Sequence, residues 1–140
     1  MGTNKEYRYK SVMIVDDNEI DCLINEKMIE AARFAEKVFT YSSGSGALDY
    51  LRNIDKNALD ASLIPQLIFL DINMPILDGF QFLDEFEKFS DSLKSHTKIL
   101  MVSSSISPRD IERANSNPRV RKYVNKPLSV KTLEGLSIVE

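Results

Sequence analysis

The sequence predicts an α/β fold, a doubly wound parallel sheet of five strands with helices on both faces. Three observations predict it. Short apolar runs alternate with helical stripes five times along the chain, the pattern of strand and helix units that build a parallel sheet. The run Leu67-Ile68-Phe69-Leu70 is apolar at every position, as a strand buried on both faces must be. A length of 140 residues, 43% of them hydrophobic, supports one core and excludes a two-domain enzyme.

Each element has its own local reason. Residues 1–10 are polar and of mixed charge and are read as an N-terminal tail, with the domain spanning 11–140. Val12 to Val15 is the first strand, stopped by Asp16-Asp17-Asn18. Ile20, Leu23, Ile24, Met28 and Ala31 then recur at helical spacing, and Asn18 or Asp17 can cap that helix by accepting from backbone N–H groups without intrahelical partners. Lys37 to Tyr41, rich in β-branched and aromatic residues, is the second strand, and Ala47, Leu48 and Leu51 mark the helix after it. Pro65 disfavours helix at Ile64, so that helix ends before it. Leu67–Leu70 is strand three, followed by a stripe at Phe80, Leu83, Phe86 and Phe89. Lys98 to Val102 is strand four, Pro108 to Asn115 a short helix, Tyr123 to Asn125 strand five, and Ser129 to about Val139 the last helix.

Composition narrows the function classes. Lys and Arg number 18 against 21 Asp and Glu, a net charge of −3, so the broad basic footprint of a nucleic-acid binder is absent. Each apolar run is short against the roughly 18 residues that mark a membrane span. The polar N-terminus is no signal peptide, and Glu6 stands where a myristoylation signal needs Ser or Thr. A lone cysteine, Cys22, has no intrachain disulfide partner and reads as a reduced thiol engaged in packing. A cytoplasmic location is expected.

Polar chemistry collects at one edge of the predicted sheet. Asp16 and Asp17 end strand one, Asp71 ends strand three, Ser103 ends strand four and Lys126 ends strand five. Open α/β sheets bind ligands outside the carboxyl ends of their strands, so this edge is the expected site. Three carboxylates so close repel unless a cation intervenes, and a hard divalent ion such as Mg²⁺ suits an all-oxygen donor set. Lys126 adds a positive charge for a phosphoryl oxygen and Ser103 a neutral donor. Phosphoryl transfer needs positioning and charge neutralisation more than covalent help, and a carboxylate can itself be the nucleophile. Asp71 stands alone at a central strand end and is the candidate nucleophile; Asp16 and Asp17 form a cation-binding pair.

Four segments make the pattern specific: Val15-Asp16-Asp17-Asn18, Leu70-Asp71-Ile72-Asn73-Met74-Pro75-Ile76-Leu77-Asp78-Gly79, Met101-Val102-Ser103-Ser104 and Tyr123-Val124-Asn125-Lys126-Pro127. In this order, over nearly the whole chain, the sequence resembles the receiver domain of two-component response regulators, and it is similar to single-domain members of the chemotaxis type. The resemblance implies a flavodoxin-like sheet of order 2-1-3-4-5 over residues 11–140. It implies phosphorylation of Asp71 by a phosphohistidine on a histidine kinase or phosphotransfer protein. It implies Mg²⁺ held by Asp17, Asp71 and the backbone carbonyl of Asn73, with Asp16 acting through a bound water. Lys126 is implied to bind the phosphoryl group, the bond to Pro127 to be cis, and Ser103 and Tyr123 to move as a switch. One departure is Ser116-Asn117-Pro118-Arg119, where the family often has a Gly-Ala pair.

Other features carry ordinary readings. His96 lies in a predicted loop with nothing resembling a phosphotransfer helix around it, and Phe80, Phe82, Phe86 and Phe89 read as packing. Between Ser116 and Thr132, Arg119, Arg121, Lys122, Lys126 and Lys131 occur without an acid, a solvated face or a partner site. The expected protein is a switch rather than an enzyme with an outside product, its output passing through a downstream protein at the fourth helix, fifth strand and fifth helix; no nucleic acid or membrane partner is expected. Two other readings stand beside it, a Mg²⁺-dependent aspartyl-phosphate phosphatase or phosphotransferase and a phosphorylation-independent binding module. The phosphatase pattern wants a second Asp two residues after the nucleophile on the first strand, and a substrate cap. Here Asp16 and Asp17 are adjacent, position 73 is Asn, and no segment is long enough for a cap.

Overall fold

The computed structural model describes residues 7–57 and 61–136. Five strands, β1 (Tyr9–Val15), β2 (Ala35–Tyr41), β3 (Leu67–Leu70), β4 (Lys98–Ser103) and β5 (Val120–Asn125), form one sheet in the order β2-β1-β3-β4-β5. Every pairing is parallel, with Val15 opposite Leu70, Leu70 opposite Met101 and Ser103 opposite Asn125. Among the described residues, helices α1 (Glu19–Ala31), α2 (Gly44–Asn57), α3 (Gly79–Phe86), α4 (Asp91–His96), α5 (Pro108–Ser116) and α6 (Val130–Gly135) make the connections, with a 3-10 turn at Ala61–Leu63. None of them is long and apolar enough to cross a membrane.

Alternation along the strands builds two cores. Met13, Val15, Ile68, Leu70, Ile99 and Met101 face α2, α3, α4 and α5, where Leu51, Phe82, Phe86, Leu93 and Ala114 are buried. Val12, Ile14, Leu67, Phe69, Leu100 and Val102 face the other way, against Ile29 of α1 and Leu133 of α6. The unbroken apolar run of β3 follows from this, because each of its residues belongs to one core or the other. Phe80, Phe82, Phe86 and Phe89 are all buried in the first core.

Element boundaries depart from the sequence reading for local reasons. β1 starts at Tyr9, whose N–H donates to the Phe34 carbonyl (2.9 Å), so the sheet takes Tyr9 and Lys10 from the expected tail. β5 starts at Val120, which pairs with Ile99 of β4; its Arg121 and Lys122 are exposed on an edge strand, where polar residues are tolerated and hide the pattern. α4, where a loop was expected, is a six-residue helix ending at His96; Ser90 caps it at Leu93 N (3.2 Å), and Leu93 is its single buried anchor. Six residues are too few to carry a stripe. α6 ends at Gly135, and the expected continuation to Val139 runs beyond the described residues.

The stripe expected on α1 is rotated. Cys22, Asn25 and Ile29 are buried, whereas Ile20 and Leu23 are 69% and 54% exposed. The cap sets this phase: Asn18 accepts from Asp21 N (2.9 Å), and Cys22 Sγ donates to the Asp16 carbonyl (3.2 Å), locking Cys22 against the strand end.

Candidate functional site

The carboxyl ends of the strands are extended by single backbone bonds that fix the next residue. Asp16 N donates to the Tyr41 carbonyl (3.1 Å), Asp71 N to Val15 (3.0 Å) and Lys126 N to Ser103 (2.9 Å). Each polar residue is thus anchored by the neighbouring strand. The Lys126–Pro127 bond is cis. Gly79 N donates to the Ile72 carbonyl (2.8 Å), folding the loop after β3 back on itself. A Cβ at Gly79 would lie 2.5 Å from the Asp71 carbonyl oxygen, so only glycine fits that approach. Asp78 and Gln81 then start α3 with a reciprocal capping box.

The result is a cluster of carboxylates. Asp16, Asp17 and Asp71 bring one oxygen each to within 4.8 Å of one another, with Asp16 and Asp71 buried and Asp17 exposed. Lys126 Nζ lies 2.8 Å from Asp16 Oδ2, 2.7 Å from Asp21 Oδ2 and 3.6 Å from Asp71 Oδ1. Burial pushes the Asp71 carboxyl from 3.8 up to about 6; the charge on Asp16 adds to the rise, Lys126 and the Ile72 N–H oppose it, and Asp17 adds a little more. Burial disfavours the Lys126 ammonium, but its bonds to Asp16 and Asp21 and the charge of Asp71 outweigh that and raise it above the usual lysine range. One ammonium therefore leaves the cluster with uncompensated negative charge. These hard oxygen donors, short of positive charge, fit a divalent cation such as Mg²⁺.

Ser103 is fully buried at the end of β4 and accepts from Ser105 N (3.2 Å). Ser105 in turn accepts from Tyr123 through its carbonyl (2.6 Å) and donates its hydroxyl to Asp110 in the first turn of α5 (2.8 Å). The Tyr123 ring is half-buried against the first core. Asn73 is exposed two residues beyond Asp71. Outside the carboxylates, Asp17, Ser42–Ser45 and Met74–Leu77 line a groove of about 200 Å³.

The chain matches the family model of the response regulator receiver domain over residues 12–136. It belongs to that family. The receiver domain is 32% identical over 121 residues to the polar-differentiation response regulator DivK of Brucella ovis, covering 86% of this chain and 87% of that one. It is 28% identical over 123 residues to the probable methanogenesis regulatory protein FilR2 of Methanothrix harundinacea, covering 88% and 76%. A two component response regulator from Cytophaga hutchinsonii has the same fold at a TM-score of 0.78 and 30% identity, with 89% of this chain and 91% of that chain covered. Receiver domains of this kind are generally non-enzymatic signalling proteins that interact with histidine kinases or phosphotransfer proteins and with downstream targets. The receiver fold brings Asp16, Asp17, Asp71, Ser103 and Lys126 to one sheet edge and leaves Tyr123 behind it, linked through Ser105.

Sequence reasoning passed over two residues that the structure adds to this edge. Asp21, at the third position of α1, looks like an ordinary acid in a helical first turn; only its place one turn after Asp17 hinted at the same edge. Ser105 looked like part of a polar turn. Cys22, beside Asp16, is buried, and burial first and then the charge of Asp16 push its thiol up to about 11, which keeps it protonated and unreactive.

Proposed function

We propose that the chain is a phosphorylation switch of a two-component phosphorelay, with Asp71 as the phosphoacceptor. One Asp71 carboxylate oxygen attacks the phosphorus of a phosphohistidine on a histidine kinase or phosphotransfer protein. The O–P bond forms as the N–P bond breaks, and the electron pair returns to the imidazole of the donor. Hydrolysis reverses the state: water attacks phosphorus, inorganic phosphate leaves, and the Asp71 carboxylate is restored. The observation that carries the reading is the convergence of three carboxylates within 4.8 Å beside one nearly buried lysine, inside a receiver domain. Asp17, Asp71 and the Asn73 carbonyl are the proposed Mg²⁺ ligands, with Asp16 behind them through a water. Bound there, the cation would neutralise charge on the carboxylates and the incoming phosphoryl oxygens.

Lys126 supplies the protein's own cation to the phosphoryl group, and Ser103 supplies a hydroxyl. The switch follows from the Ser105 link. If Ser103 turns toward the phosphoryl group, its bond to Ser105 N breaks, and Ser105 is the residue that holds both the Tyr123 hydroxyl and Asp110 of α5. A change of about −1.5 to −2 charges at Asp71 is thereby passed to the α5, β5 and α6 face. There Arg121, Lys122 and Lys131 are exposed, suited to an acidic downstream protein, while Arg119 is paired with Glu87. The reading includes a cytoplasmic location. Asp16 and Asp17 are adjacent and position 73 is Asn, which departs from the phosphatase pattern, and the intact carboxylate cluster speaks against a module indifferent to phosphorylation.

The test is incubation with acetyl phosphate and Mg²⁺, following acyl-phosphate formation by its sensitivity to hydroxylamine. Wild type acquires the label and Asp71→Asn does not. Equal labelling of the two overturns the assignment.

A further inference from the structure

Lys126 has three N–H donors, and two of them are committed to carboxylates other than Asp71. One goes to Asp16 (2.8 Å) and one to Asp21 (2.7 Å), while Asp71 is 3.6 Å away, beyond hydrogen-bond reach. The Lys126 side chain is 11% exposed, Asp16 2% and Asp21 31%, so the pair across α1 and the end of β5 is only partly screened by water. Asp21 could have had a purely local role. At the third position of a helix, a carboxylate often reaches back to the backbone N–H of the capping residue. Here that N–H, on Asn18, donates to Asp16 Oδ1 instead (2.9 Å). The Asp21 N–H is used by the cap through Asn18 Oδ1 (2.9 Å), which fixes the backbone, but its carboxylate is left for Lys126.

We infer that Asp21 is a positioning residue that draws the Lys126 ammonium toward α1 and away from Asp71, so that Lys126 closes on the phosphoryl group more readily when the Lys126–Asp21 pair loosens. The inference rests on the proposed role of Asp71 and deepens it. Asp16 and Asp21 take two ammonium protons and leave the third for the phosphoryl group, but as Lys126 shifts toward that group its bond to Asp21 lengthens, and the net gain of the adduct is reduced by what that bond loses. Asp21 therefore sets how readily the site accepts and keeps the phosphoryl group. Its partial exposure makes the control moderate.

The experiment measures the affinity for beryllium fluoride, a phosphoryl mimic, at saturating Mg²⁺ in wild type, Asp21→Asn, Lys126→Gln and the double variant, with thermal unfolding to confirm folding. Asp21→Asn keeps the side-chain shape and the first turn of α1. It is expected to bind about three- to tenfold more tightly than wild type, less than a full charge-assisted bond because the pair is partly exposed to water. Asp21→Glu, which restores the charge and can reach the ammonium, returns the affinity toward wild type. In the Lys126→Gln background the effect of Asp21→Asn disappears. An equal gain in that background would mean that Asp21 acts by simple repulsion of the anion, and overturns the inference. So does unchanged or weaker binding by Asp21→Asn. If Lys126→Gln does not fold, the ammonium resonance of Lys126 decides: on adding beryllium fluoride it must shift further from its free position in wild type than in Asp21→Asn, and equal shifts overturn the inference. Wild type failing to bind beryllium fluoride at all removes the proposed role of Asp71 and this inference with it; wild type binding while Asp21→Asn matches it removes only the role of Asp21.

Discussion

Replacing Asp71 by Asn should stabilise the metal-free protein. Asp71 is 5% exposed, and its carboxyl is raised from 3.8 to about 6, first by burial and then by the charge of Asp16. An acid whose folded pKa is raised binds its proton more tightly in the folded state, so stability falls as pH climbs from about 4 to about 6. Above that range the whole penalty is present. A rise of about two pH units corresponds to about 3 kcal/mol at roughly 1.4 kcal/mol per unit. Asn keeps the shape and removes the charge, so Asp71→Asn should gain about 2–3 kcal/mol at pH 8 in chelator. For a chain of this size that is a rise of roughly 6–15 °C in Tm. At pH 4 the folded state carries nearly the whole proton and the unfolded state a substantial part of it, so the gain should shrink below about 1 kcal/mol. Saturating Mg²⁺ at pH 8 should narrow the gap by stabilising wild type alone. Thermal unfolding at both pH values, with and without Mg²⁺, checks this. An Asp71→Asn variant less stable than wild type, or a gain equal at pH 4 and pH 8, would refute the claim that the cluster holds uncompensated charge.

Other substitutions probe how the site is built. Gly79→Ala forces a Cβ to within 2.5 Å of the Asp71 carbonyl oxygen and 2.9 Å of Ile72 Cα, both backbone atoms. It should cost about 1–3 kcal/mol in urea unfolding and lower acyl-phosphate formation as Asp71 is displaced. Ile76 has φ 69, a left-handed conformation in which a β-branched residue is strained, and at 98% exposed its side chain lies almost wholly in solvent. Ile76→Asn should stabilise by about 0.5–1.5 kcal/mol in the same assay. Ser103→Ala should still form the acyl phosphate but lose much of the difference in partner affinity with and without beryllium fluoride. Tyr123→Phe, which removes the 2.6 Å bond to Ser105, should cost about 1 kcal/mol and shift that same difference.

Sheet composition and the strand-end site were legible because burial on two faces and the chemistry of phosphate each leave unambiguous residue types. Leu67–Leu70 can be little other than a central strand, and Asp16, Asp17, Asp71, Ser103 and Lys126 stand at the ends of four recognisable runs. What escaped depended on angle or on contacts far apart in sequence. The apolar spacing on α1 indicated a helix but not its rotation, which the Asn18 cap and the Cys22 contact with Asp16 decide. α4 rests on one serine cap and one leucine, below what periodicity can register. The first half of β5 is written in exposed charged residues because it is an edge strand. Asp21 is 105 positions from Lys126, and no local pattern announces that its carboxylate will cross to the end of β5.

The central claim is that Asp71, among four neighbouring aspartates, is the phosphoacceptor. It is tested most directly by treating the protein with acetyl phosphate and Mg²⁺, reducing the acyl phosphate with borohydride, and mapping the product by peptide mass spectrometry. Reduction converts a phosphorylated aspartate to homoserine, so the acceptor is read as a position. The account predicts homoserine at position 71 alone, and none when Mg²⁺ is chelated. Homoserine at position 16, 17 or 21, or an unmodified Asp71 under conditions where the folded protein binds Mg²⁺, would contradict it.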